Sequence, residues 1–249
     1  MQKVSEKEVA KYIETHIQDF HRARWESLLK LRLSDILKKK NAYLLRAKNV
    51  VSAPEYVKTL LDAHLSSQEE TIFGNFLEGL AIFICEKVFK GFKSSAEGID
   101  LEFEKDKVRY IVTIKSGPNW GNSSQVKKMR EDFRQAKRIL GQQLKDKSIM
   151  AVNGCCYGKD NKPDKGDYLK LCGQRLWQFI SDDENLYLRI IKPLGHTAKE
   201  RNEEFLEEYA KVVNLFTLQF LKTYCEPDGS INWNLILQKY SGMKNSTVY

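Results

Sequence analysis

Gly98-Ile-Asp-Leu-Glu-Phe103, the turn Lys105-Asp-Lys107, and Tyr110-Ile-Val-Thr-Ile-Lys115-Ser-Gly-Pro-Asn-Trp-Gly-Asn-Ser-Ser-Gln125 decide how this 249-residue chain folds. Both limbs alternate like half-buried strands. Ile99, Leu101 and Phe103 fall on one face of the first limb, and Asp100, Glu102 and Glu104 on the other. On the second, Tyr110, Val112 and Ile114 oppose Ile111, Thr113 and Lys115. An antiparallel pair has two parities of register, and a one-residue slip sends every side chain to the other face. If Asp100 lies across from Thr113, then Asp100, Glu102, Thr113 and Lys115 share a face. A carboxylate and an ammonium group then converge, the outline of a metal-and-water site. An exposed hairpin with a merely charged outer face fits the same letters.

The residues after Lys115 favour the site. Residues 116–122, Ser-Gly-Pro-Asn-Trp-Gly-Asn, break the strand with residues suited to special backbone angles. Ser123 or Ser124 then caps a helix with Val126, Met129, Phe133, Ala136 and Leu140 at helical spacing. Its other positions hold Lys127, Lys128, Arg130, Arg134, Lys137 and Arg138. A carboxylate–lysine strand pair feeding a polar loop and a basic helix suits phosphodiester cleavage on nucleic acid.

The net charge of +8 points to an anionic partner, and the cations are interspersed with acids rather than gathered in a tail. Nine basic residues between Arg22 and Lys48, against Glu26 and Asp35, read either as a solvated face or as a phosphate-contacting surface. Five cysteines without framework spacing suggest reduced thiols in a cytoplasmic protein, and a zinc site is not expected. No signal-peptide pattern opens the sequence, and no apolar run reaches the roughly 18–20 residues of a membrane span. Asn245-Ser246-Thr247 would accept a glycan only in a secreted protein. His16, His21, His64 and His196 show no ligand spacing.

Ser5 and Glu8 form a capping box opening a helix to about Leu31. Pro54 suits the first turn of a helix from Ala53 to about His64, and Ser66-Ser67-Gln68-Glu69-Glu70 signals a separate helix from about Gln68 to Phe89. That second helix is apolar nearly all round, yet carries Glu78. A buried acid needs a partner, a metal or a raised pKa. Either a structural salt bridge or an approach to the Asp100–Lys115 face satisfies it. A third strand is expected near residues 149–156, a helix over 173–181, a strand or a helix at 186–191, and a long helix over 197–224.

Three stretches, Lys40-Asn-Ala-Tyr-Leu-Leu-Arg-Ala-Lys-Asn49, Ser66-Ser-Gln-Glu-Glu-Thr-Ile-Phe-Gly74 and Ile114-Lys-Ser-Gly-Pro-Asn-Trp-Gly-Asn122, resemble type II restriction endonucleases of the PD-(D/E)xK superfamily. Gly173-Gln-Arg-Leu-Trp-Gln-Phe-Ile180 followed by Leu186-Tyr-Leu is similar too. The resemblance implies an α/β core: a mixed central sheet flanked by helices, with added N- and C-terminal helical segments. It implies sequence-specific, Mg²⁺-dependent cleavage of double-stranded DNA by a homodimer at a short palindromic site. Residues 1–65 would form a basic helical region, 66–196 the nuclease core and 197–249 a helical extension packed on it. Asp100 matches the first acid of the motif and Lys115 its lysine. The second acid should stand at 113, where this chain has threonine. A relocated glutamate would replace it: Glu78 first, then Glu131, then Glu102.

On that basis Asp100, Glu78 and the Ile114 carbonyl hold the metal, and Asp100, Glu78 and Lys115 carry the chemistry. Asn119, Trp120, Asn122, Ser123, Gln125 and Lys127 are the expected DNA contacts. A repair-type nuclease, or a binding protein without catalysis, is the alternative.

Overall fold

The computed structural model describes residues 4–143 and 148–243; the Asn245-Ser246-Thr247 triplet lies outside them. The elements run α1 (Glu6–Leu29), α2 (Leu33–Lys39), α3 (Ala42–Ala47), α4 (Ala53–Phe89), β1 (Phe92–Lys93), β2 (Leu101–Lys105), β3 (Val108–Lys115), α5 (Ser123–Gln143) and β4 (Ser148–Cys155). After these come β5 (Leu169–Cys172), α6 (Gln174–Ser181), α7 (Leu186–Arg189), α8 (Ile191–Leu194), α9 (Ala198–Tyr224) and α10 (Trp233–Ser241). Contacts divide the chain into two compact units, Met1–Phe20 with Thr71–His196, and His21–Glu70 with Thr197–Tyr249.

The first unit holds a five-stranded mixed sheet in the order β1-β2-β3-β4-β5. β1, β2 and β3 are antiparallel, whereas β3, β4 and β5 run parallel, with α5 making the β3-to-β4 crossover. Helices cover both faces, as the α/β expectation requires. Leu101, Phe103, Val112, Ile114 and Val152 pack against Phe76, Leu77, Leu80 and Ile84 of α4 and Leu176, Trp177 and Ile180 of α6. The other face offers Ile111 and Ala151 to Met129, Phe133 and Ala136 of α5.

Three expectations need correction. Ile99 does not share a face with Leu101 and Phe103; it packs in the α5-side cluster. Gly98 adopts a left-handed conformation (φ 73°) and the Ile99 N–H closes a turn onto Ala96 O, so extended pairing starts only at Leu101. The alternative reading of a merely charged outer face fails at Glu102, which is buried. Nor does the chain break near Ser66, because α4 is one helix from Ala53 to Phe89. A serine caps only where the preceding residues leave the helix. Here Leu60, Leu61 and Leu65 continue the buried stripe, with neither Gly nor Pro to interrupt it.

Local signals decided other boundaries. Ser5 and Glu8 make the reciprocal capping box, Glu8 N–H to Ser5 Oγ at 3.2 Å and Ser5 N–H to Glu8 Oε2 at 3.1 Å. The α5 cap is Asn122 rather than a serine. Gln125 N–H donates to Asn122 Oδ1 at 3.1 Å, and Asn122 N–H donates back to Gln125 Oε1 at 2.9 Å. Asn122→Ala therefore costs about 1 kcal/mol of stability, measurable as a lowered urea midpoint. The ambiguous 186–191 segment is helical, as α7 and the start of α8.

The described elements of the second unit are helices, with one isolated bridge between Cys225 and Ile231. Its core joins Leu33, Ile36 and Leu37 of α2, Tyr56, Val57, Leu60 and Leu61 of α4, and Phe205, Phe216 and Phe220 of α9. Tyr56 stacks on Phe220 with ring centroids 4.6 Å apart. Lys38, Lys39, Arg46 and Lys48 lie on its exposed surface.

All five cysteines are free thiols; four are buried and Cys225 is partly exposed. Burial pushes the Cys156 thiol up to about 12. Ellman's reagent at pH 8 should accordingly titrate Cys225 alone in the native protein and all five thiols after unfolding.

Candidate active site

β2 and β3 pair with Leu101 opposite Val112. Asp100 leaves this register: its N–H turns to Val112 O, the residue already opposite Leu101, so it does not sit squarely across from Thr113. Asp100 stands where the ladder ends. Its main-chain N–H donates to Val112 O at 2.9 Å, and its Oδ2 accepts the Ile114 N–H at 2.6 Å. Lys115 Nζ lies 3.9 Å from the same oxygen and 5.4 Å above the Trp120 ring. Trp120, packed against the α5-side cluster, thus braces the ammonium group from the loop.

Glu78 reaches this neighbourhood from α4. One turn earlier, a Cβ on Gly74 would stand 3.8 Å from Ser116, so α4 passes beside the residue next after Lys115. Glu78 is close enough for its charge to raise Asp100's pKa. It also pairs with Lys93 of edge strand β1, Nζ to Oε1 3.5 Å, so the salt bridge and the approach to Asp100 coexist. Lys93 is a residue that sequence reading missed. Its only signal was a cation beside an aromatic in a two-residue strand, and its pairing with Glu78 is not local in sequence.

The Asp100 carboxyl is held above its ordinary range, first by burial. The Ile114 N–H, Lys115 and Lys93 pull it down, while Glu78 adds to the rise. Two acids and two lysines therefore face one another in a partly desolvated corner, where charge acts more strongly than in bulk water.

The other two glutamates are engaged elsewhere. Glu131 is on the exposed side of α5, where Arg134 donates to it at 2.5 Å. Buried Glu102 accepts from Ser94 Oγ at 2.7 Å, with Arg109 Nη1 at 3.8 Å. Among the described residues, no three His, Cys, Asp or Glu side chains gather as a metal cluster. The acids of this corner are Asp100 itself and Glu78, which acts on it electrostatically. That set fits Mg²⁺, which takes one or two carboxylates and keeps several waters. The Thr113 Oγ1 is buried and finds no hydrogen-bond partner among the described residues, so a polar atom there is left to be satisfied.

A family model for the type II restriction endonuclease EcoO109I matches residues 7–202. The chain belongs to that family. It is a restriction endonuclease, and so a DNA-binding phosphodiester hydrolase. No curated protein matches the sequence. None of this endonuclease's described helices is long and apolar enough to cross a membrane.

Beyond Lys115, the endonuclease exposes Asn119, Asn122, Ser123, Gln125 and Lys127 at the loop and the first turn of α5. The cap uses the side-chain oxygens of Asn122 and Gln125, but not their NH₂ groups. Lys170 ties the loop down through Pro118 O at 2.9 Å. Tyr157 packs where any side chain at Gly117 would have to go. The loop is thereby fixed to the strand that carries Lys115.

Proposed function

We propose that this endonuclease hydrolyses both strands of double-stranded DNA at a short palindromic site, in a Mg²⁺-dependent reaction, as a cytoplasmic homodimer. The observation that carries the reading is the meeting of Asp100 and Lys115 at 3.9 Å, with Glu78 in electrostatic reach. Asp100, Glu78 and the Ile114 carbonyl would hold the ion. When bound, Mg²⁺ supplies Lewis-acid polarisation of a phosphate oxygen and lowers the pKa of water.

The chain's own side chains do the remainder. The Ile114 N–H fixes the Asp100 carboxylate at the end of β2. Lys115, steadied over Trp120, orients the attacking water and balances the charge that grows on phosphorus's equatorial oxygens. Asn119, Asn122, Ser123 and Gln125 offer donors and acceptors suited to base edges, Trp120 could touch a sugar, and Lys127 suits a phosphate. The exposed cations of α2 and α3 add non-specific attraction to the duplex. A two-fold protein suits a two-fold site, hence the homodimer.

Digestion of plasmid DNA with Mg²⁺ tests this. Discrete fragments with one terminal sequence are expected, and size-exclusion chromatography with light scattering should give twice the chain mass. A smear without fixed ends would replace the reading with a repair-type nuclease. Retention of DNA without any cutting would replace it with a binding protein.

A further inference from the structure

Two loops meet at the carboxyl ends of β3 and β4, and the main chain joins them. Cys156 N–H donates to Lys115 O at 2.9 Å, and Tyr157 N–H donates to Ser116 O at 3.1 Å. Gly158, in a left-handed conformation (φ 88°), sits where a side-chain carbon would strike Pro118, 2.6 Å from its Cγ. Lys170 of β5 holds Pro118 O and stands 3.8 Å from Asp160, whose main-chain oxygen accepts from Arg175. The loop after β4 is therefore fixed against the loop that leaves Lys115.

Tyr157 is the side chain this packing displays. A side-chain carbon at Gly117 would stand 2.6 Å from the Tyr157 hydroxyl oxygen, so the tip of the phenol lies against buried Gly117. Glycine at 117 is what admits it. The tyrosine remains 56% exposed, and its hydroxyl has no hydrogen-bond partner among the described residues. Phenylalanine would fill the same space, so packing alone does not call for the hydroxyl.

Its position relative to Lys115 says what the hydroxyl can reach. Gly117 is two residues past Lys115, so their Cα atoms are at most about 7.6 Å apart. One DNA strand advances about 3.4 Å along the duplex axis per phosphate. A strand whose scissile phosphate meets Lys115 thus has neighbouring phosphates, one or two nucleotides away, within that span. Adjacent strands of a sheet stand about 4.8 Å apart, whereas the major groove alone is about 12 Å wide. A duplex seated on Lys115 therefore also covers the end of β4. A neutral phenol O–H can donate to a phosphate oxygen, one of the contacts that set register on the duplex without reading its sequence. Tyrosine does so at low entropic cost, since it has only two side-chain torsions to fix.

We infer that the Tyr157 hydroxyl donates a hydrogen bond to a DNA phosphate beside the scissile one, and so seats the substrate strand over Lys115. The inference rests on the reading of Asp100 and Lys115 as the cleavage site.

The test measures binding of the full chain, in Ca²⁺, to a duplex carrying the sequence cut in the plasmid digestion. One phosphate at a time is replaced by an uncharged methylphosphonate. Tyr157→Phe keeps the ring and should weaken binding by about 10-fold or more, the range for a hydrogen bond to a charged group, while melting at the wild-type temperature. At one position within two nucleotides of the cut, the methylphosphonate should cost the wild type several-fold more affinity than it costs Tyr157→Phe. Wild-type affinity in Tyr157→Phe would overturn the inference. So would weaker binding in which every methylphosphonate costs both proteins the same, or a lower melting temperature, since the hydroxyl would then act within the fold. If Asp100→Asn still cuts, the cleavage site lies elsewhere and the inference falls with it, whatever Tyr157→Phe shows.

Discussion

Asp100→Asn abolishes DNA cleavage and yields a protein that melts at a higher temperature than the wild type. The loss of turnover should be on the order of 10³-fold or more, since on the proposed reading the substitution would take an anionic oxygen from the ion and disturb the water that Lys115 would orient. The gain in stability comes from the raised pKa of this carboxyl. An unfolded chain releases the Asp100 proton near the ordinary value of 3.8, while the folded chain keeps it to a higher pH. Through that window the folded state binds more protons, so stability falls as pH rises, and at neutral pH the buried anion weighs against folding. Asparagine keeps an oxygen for the Ile114 N–H and discards the charge. A gain of about 1 kcal/mol would move the melting temperature by about 2–4 °C in a chain of this size. The difference between the two proteins should shrink as the pH approaches 4, which separates a charge effect from a packing one. Retained cutting by the folded variant would place the active site elsewhere.

Lys115→Met lowers cleavage by about 10²- to 10³-fold, the cost of losing one preorganised group aimed at developing charge. Methionine keeps an apolar stem near Trp120, so DNA binding in Ca²⁺ should survive. A second consequence is peculiar to this geometry. Lys115 is among the groups that hold the Asp100 pKa down. Without it the carboxyl rises further, and a divalent ion must compete with a more tightly held proton. The pH midpoint for Mn²⁺ binding should move upward in the variant, as read by titration at a series of pH values. An unchanged midpoint would mean that Lys115 and Asp100 do not share the site. Together the two variants separate loss of the ion from loss of the cation.

Much of this site was legible in the hairpin's letters. Alternation gave both strands, while the letters left two parities of register open, and Asp100 itself steps out of the regular ladder. The capping box at Ser5, the apolar run of α4 and the amphipathic α5 were equally local, because their patterns repeat within one or two turns. Other features were not written locally. The Ser66-Ser67 signal looked like a helix start, yet tertiary burial of Leu60, Leu61 and Leu65 carried α4 straight through it. Ile99 obeyed the alternation on paper, and the turn at Gly98 moved it to the other layer. β5 is four residues long and joins the sheet through its pairing with β4, a contact no window of sequence contains.

From the sequence alone came the two limbs of the hairpin, since periodicity is a property of neighbouring residues; the mixed α/β class and the choice of Asp100 and Lys115 came through the family resemblance. Which charged groups stand near them the tertiary structure had to decide. Glu78 and Lys93 come from a helix and an edge strand. Only packing of the α4 layer on the sheet sets their fields and distances, because Coulomb interactions depend on separation in space and on burial, not on separation along the chain.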